Sequence, residues 1–204
     1  MPPKSKPAEI ETFYPENREA WRAWLMENGQ TRKHIWLIYY KAKSGKPSVT
    51  YSDAVDEALC FGWIDSTSRP IDGEKFMQYF CPRKPNSVWS KINKEKVERL
   101  IREGRLTPAG MALVEKAKEN GSWNILDSAE ALEVPSDLEE ALNAMEGAGL
   151  YFSALSRTDK RNLLQWLVLA KRPETRAKRI HEIASCAARQ CKPGPYAGKK
   201  NAKS

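Results

Sequence analysis

Two strand-like runs, Trp63–Arg69 and Lys75–Cys81, flank the turn sequence Pro-Ile-Asp-Gly at residues 70–73, and this constrains the fold more than any other feature. Proline presets the backbone angle that enters such a turn and glycine releases it, so the segment reads as a β-hairpin closed by a longer loop. His34–Tyr40, with its β-branched and aromatic residues, supplies a further strand. Beyond Asn93 only helical patterns follow. The chain is therefore read as α+β: a small antiparallel sheet of about three or more strands packed with helices, followed by a C-terminal helical region.

The helices announce themselves by spacing and by their ends. Trp21, Trp24 and Leu25 recur at intervals of three and four within Glu16–Asn28, and Gly29 stands where a left-handed C′ residue would close that helix. Ser52-Asp53 opens a short helix, DAVDEALCF, which Gly62 ends. Val97, Leu100 and Ile101 share a face before Gly104, and Thr107-Pro108 gives an N-cap and a first-turn proline to the next helix. Ser156 with Asp159 approximates a capping box, Pro173 breaks the helix that follows, and ETRAKRIHEIASCAARQ forms the last one. Division at the polar stretches gives a disordered tail at 1–11, an α+β domain at 12–121, an acidic connector at 122–133, a helical domain at 134–190 and a basic tail at 191–204.

No run approaches the roughly 18–20 apolar residues of a membrane helix, and the N-terminus lacks the apolar core of a secretory signal, so a cytoplasmic protein without membrane insertion is expected. Cys60, Cys81, Cys186 and Cys191 are scattered, and free thiols are expected. The formal charge is +8, and it is concentrated: residues 157–204 carry 13 Lys and Arg against 3 Asp and Glu. Residues 122–156 hold seven acids and no Lys or Arg. The basic block Lys171, Arg172, Arg176, Lys178 and Arg179 is thus a candidate anion or nucleic-acid contact, with a solvated surface or pairing to the acidic 127–146 segment as the alternatives.

The densest chemistry lies between Cys60 and Asn93. Trp63, Asp65, Arg83, Ser87, Trp89, Ser90 and Asn93 form the candidate ligand site, combining a carboxylate, a guanidinium suited to carboxylate or phosphate, hydroxyls near a helix start and two indoles. The alternative is structural: serine and asparagine caps, and Asp65 pairing with Arg83 or Lys84. Trp89, flanked by serines, is the indole expected to be exposed. Two histidines leave little material for a triad or a metal site, and no HExxH, CxxC pair, GxGxxG or Walker loop occurs. Neither catalytic residues nor a cofactor are assigned, and the pattern favours binding over turnover.

ALCFGWID, PRKPNSVWSKIN and WLVLAKRPETRAKRI together resemble the YdeI/OmpD-associated, or bacteriocin-protection, family, over nearly the whole chain. The resemblance implies a small protein linked to protection against bacteriocins and cationic antimicrobial peptides, and brings no agreed reaction with it. The reading is a non-enzymatic binding or stress-protection module. Its alternatives are an enzyme or sensor of a small anionic ligand near Arg83, and nonspecific nucleic-acid binding by the basic C-terminus.

Overall fold

The computed structural model describes residues 10–197 and divides into two compact units. Of the described residues, the first unit runs to Ser87 and resumes over Ile92–Ser122. The second comprises Val88–Lys91 and everything from Trp123 onward.

In the first unit the described residues form one four-stranded sheet from β1 (Thr12–Phe13), β2 (Ile35–Tyr40), β3 (Trp63–Pro70) and β4 (Lys75–Pro82), in the order β1-β2-β4-β3. β2, β4 and β3 pair antiparallel as the hairpin reading requires, and β1 adds a parallel edge, so the sheet is mixed. Opposed residues in an antiparallel pair share a face. The register Ile35↔Phe80, Leu37↔Gln78 and Tyr39↔Phe76 therefore defines the inner side. Against it pack α1 (Arg18–Asn28) and α2 (Tyr51–Cys60), burying Trp21, Leu25, Ala54 and Ala58 with Trp63 and Val49. α1 closes without a left-handed residue: Gly29 is right-handed helical, and a Cβ there would lie 2.5 Å from the Leu25 carbonyl oxygen.

α2 is buried on every side from Ala54 to Cys60, including Asp56 and Glu57. Such burial is tolerable only where cations and hydrogen bonds replace water. Glu57 receives Arg18 Nε at 2.5 Å and Arg22 Nη1 at 2.6 Å from α1, and Arg105 Nη2 at 2.5 Å from the loop after α3 (Lys91–Arg102). Asp56 receives Lys96 Nζ and Arg99 Nη2, both at 2.5 Å, from α3. Two adjacent carboxylates thus gather five cations. Burial pushes both carboxyls up, and the hydrogen bonds and charges of these partners outweigh it, leaving each below its ordinary value.

The end of α2 is held by main chain. Gly62 takes φ +75°, and the Thr107 N–H and Oγ1 both donate to the Cys60 carbonyl, at 3.0 and 2.7 Å. Thr107 also caps α4 (Pro108–Glu119) by accepting from the Gly110 N–H. A Cβ on Gly110 would sit 2.3 Å from the Cys60 oxygen, so only glycine allows this approach.

The second unit is helical among the described residues: α5 (Asp127–Glu130), α6 (Ser136–Asn143), α7 (Ala148–Ala154), α8 (Arg157–Val168) and α9 (Pro173–Ala188). Their inward stripes meet in a core of Leu138, Leu142, Phe152, Leu163, Leu167 and Ile183 with small residues between. Ser156 caps α8 by accepting from the Asp159 N–H, and its hydroxyl donates to the Asp159 carboxylate. All four cysteines are free, and no helix among the described residues is long and apolar enough to cross a membrane.

Glu57→Gln is expected to destabilise the first unit by roughly 3–5 kcal/mol in urea unfolding, because three guanidinium groups lose their shared counter-charge. The two carboxyls titrate below their unfolded values, so their contribution is complete above the usual carboxylate range and is lost as pH falls through the folded value. Between pH 5 and 3 the wild-type unfolding free energy should therefore fall more steeply than that of Glu57→Gln.

Candidate functional site

The seven residues singled out by sequence do not lie in one unit. Trp63, Asp65, Arg83, Ser87 and Asn93 belong to the first, Trp89 and Ser90 to the second. Trp63 is fully buried, stacks edge-on against Trp24, and its indole N–H donates to the Gly29 carbonyl at 3.0 Å. Arg83 is buried too; its backbone N–H donates to the Gly62 carbonyl, and loss of water lowers its guanidinium pKa to about 10. The Ser87 N–H closes a turn on the Lys84 carbonyl, and Asn93 lies in the first turn of α3, half-buried. Ser90, half-buried, directly precedes α3.

Trp89 departs from expectation. It is 2% exposed, and its ring centroid lies 5.0 Å from that of Trp123. Serines stand at 87 and 90 in the sequence, yet the indole itself is covered.

Asp65 carries a network that sequence did not reveal. Its Oδ2 accepts from the Tyr51 hydroxyl at 2.8 Å and from Gln78 Nε2 at 3.0 Å, rather than pairing with Arg83 or Lys84. The cause lies in the sheet. The β3–β4 register shifts between Asp65 and Ser68, and a bulge of this kind leaves a ladder carbonyl without its partner. Gln78, buried at 5% exposure, supplies the missing donor by giving Nε2–H to the Ser66 carbonyl at 2.9 Å.

Tyr39, on the same inner face, stacks parallel to Phe76 with centroids 5.0 Å apart. Its hydroxyl is buried and meets no hydrogen-bond partner. Burial, then the charge of Asp65, pushes the Tyr39 phenol well above its ordinary pKa. Tyr51 is pushed up to about 12 by burial and by its bond to Asp65. Both phenols therefore remain protonated across the neutral range. Tyr39 and Tyr51 line a recess of about 350 Å3.

The thiol of Cys60 is fully buried, and burial and the nearby Glu57 carboxylate push its pKa up to about 11, which keeps it overwhelmingly protonated near pH 7. Among the described residues no group of three or more His, Cys, Asp or Glu is placed to hold a metal ion.

In the second unit, a recess of about 390 Å3 lies at the α6–α7 turn, lined by Leu142, Met145, Glu146, Leu150 and Ser153 among others. Leu150 is 82% exposed, the most exposed of the large apolar side chains described. Glu139 stands one turn before Asn143 on the same side of α6, and Asn143 and Glu146 both line the recess. The basic block is partly consumed internally. Arg176 makes a two-pronged bond to Asp137, at 2.6 and 2.8 Å, and Arg179 donates to the Trp166 carbonyl while its guanidinium lies 5.0 Å from the Trp166 ring centroid. Lys171, Arg172 and Lys178 are exposed.

Comparison with known families assigns the two parts separately. Residues 131–190 match the family model described as Bacteriocin-protection, YdeI or OmpD-Associated. They form a domain of that family. Residues 13–113 match another model, a domain of unknown function, DUF8412. The bacteriocin-protection match thus covers α6 to α9, and the motifs ALCFGWID and PRKPNSVWSKIN fall within the second match rather than in the bacteriocin-protection domain. No curated protein and no solved structure matched the chain.

Gln78→Leu, which keeps most of the volume but removes both donors, is expected to cost about 1–3 kcal/mol in urea unfolding, since the Ser66 carbonyl and Asp65 lose a buried partner. An unchanged midpoint would show that the bulge does not depend on this amide.

Proposed function

We propose that this protein is a non-enzymatic protective binding module whose bacteriocin-protection domain captures cationic amphipathic peptides at the α6–α7 turn. The observation that carries the reading is Leu150: a leucine 82% exposed beside a recess of about 390 Å3, on a helix that buries Ala148 and Phe152 on its other side. An apolar side chain held in water beside a cavity is a ready anchor for another apolar side chain.

The surroundings select the sign of the partner. Glu146 lines the recess, Glu139 stands one turn before the lining residue Asn143, and no Lys or Arg is among the lining residues, the Lys160 ammonium being held by the Ser153 carbonyl at 2.6 Å. A segment that places leucine or phenylalanine in the recess and lysine or arginine over the carboxylates fits both features. The family description, bacteriocin protection, agrees with a partner of this chemistry. Binding supplied by one apolar anchor and a few rim charges is expected to be in the micromolar range and salt-sensitive.

Titration calorimetry of the full chain with an amphipathic lysine- and leucine-rich helical peptide tests this. Leu150→Asp should weaken binding about tenfold or more, Glu146→Lys several-fold, and raising salt from 50 to 500 mM should weaken the wild type. Affinity unchanged by both substitutions would remove the proposal.

A further inference from the structure

The recess in the first unit is a site of different chemistry, and nothing above gives it an occupant. Its wall is aromatic: Tyr39, Tyr40, Tyr51 and Phe76 line it, with Tyr39 and Phe76 forming one stacked surface. Its volume of about 350 Å3 suits a ring compound of small-metabolite size. At the end of a side chain that is 2% exposed, the Tyr39 hydroxyl has no hydrogen-bond partner. A buried polar group left unsatisfied is costly, and the cost is recovered when something enters and bonds to it.

The charge of the occupant follows from what surrounds the opening. Lys41 and Lys46 line the recess and are exposed. Their existing ties are light: Lys41 donates to the Gly73 carbonyl at 3.0 Å, and Lys46 meets Glu74 at 3.4 Å while lying over the Tyr40 ring. Thr50 and Tyr51 place the N-terminal end of α2 at the same opening, where aligned peptide dipoles favour negative charge. Three carboxylates stand near it without lining it, and each is engaged: Asp65 Oδ2 is held by Tyr51 and Gln78, Asp53 in the first turn of α2 by Thr50 and Arg18, and Glu74 lies 3.4 Å from Lys46. A cationic guest would face two ammonium groups and a helix start. An anionic one would be drawn to them.

We propose that the first unit binds a small aromatic carboxylate, with the ring laid against the Tyr39–Phe76 pair and Tyr51, a polar ring substituent or ring N–H meeting the Tyr39 hydroxyl, and the carboxylate at Lys41 and Lys46. The Tyr39 phenol, kept protonated by burial and by Asp65, can donate or accept in that contact. This site is separate from the peptide-binding surface and does not depend on it.

Calorimetry of the full chain with three indoles of similar shape separates the alternatives: indole-3-acetate, indole-3-acetamide and tryptamine, with 4-hydroxybenzoate as a second carboxylate. At least one carboxylate is expected to bind about tenfold tighter than the amide, and tryptamine more weakly still. Tyr39→Phe should lower carboxylate affinity by about tenfold and leave the melting temperature of the free protein unchanged or raised, because it deletes a hydroxyl that has no partner there. Lys46→Gln should lower affinity several-fold, and Leu150→Asp should leave it untouched. The proposal is overturned if neither carboxylate binds, if tryptamine is preferred, if the carboxylates and the amide bind alike, or if Tyr39→Phe retains full affinity. A fall in melting temperature of free Tyr39→Phe would overturn its premise, since it would mean that the hydroxyl is already satisfied, for example by an ordered water.

Discussion

The first unit is organised around two carboxylates that cannot be hydrated. Asp56 and Glu57 lie in the middle of a helix enclosed on every side, and each must be met by cations from elsewhere in the chain. Their partners come from α1, from α3 and from the loop after α3, so satisfying these charges fixes where those elements stand around α2. Hydrophobic burial would hold these helices near one another without specifying an azimuth. Hydrogen-bonded ion pairs in a low dielectric accept only a narrow range of geometries, and they supply the register that apolar packing leaves free.

The same logic extends outward through the sheet. A bulge in β3 leaves a carbonyl to be filled, Gln78 fills it, and the rest of that amide's bonding holds Asp65 in place. Asp65 in turn takes the hydroxyl of Tyr51 at the start of α2. Tyr39 stands beside this chain of bonds and is left out of it. Tyr39 and Tyr51 both line the recess, and the way the hairpin is built satisfies the hydroxyl of Tyr51 while leaving that of Tyr39 without a partner.

Much of the fold was legible in the sequence, because it is written in periodicity and punctuation. The hairpin, the third strand, the caps at Thr107 and Ser156 and the helical C-terminal half all follow from residue type and spacing. The parallel edge strand β1 was not read, since two residues carry no periodicity. Crowding of polar residues in sequence misled at Trp89, which is covered although serines stand at 87 and 90. Asp56 and Glu57 left no such signal: in DAVDEALC they share one side of the helix with Asp53, the pattern of a solvated acidic face, and only the assembled structure shows them buried and paired. Tyr39 was placed correctly in a strand. That its hydroxyl lacks a partner is a property of the assembled neighbourhood, which no local pattern encodes.

The contact between Gly110 and the Cys60 carbonyl is made by backbone atoms on both sides, with no side chain between them. Its geometry is therefore indifferent to the size of surrounding residues, so the core around it can diverge widely among homologues while these two helices keep their spacing. The same contact tolerates no addition at all. One methyl group at residue 110 would act as a wedge at the pivot of α2 and α4, so selection should guard that position more strictly than the larger, better buried side chains nearby.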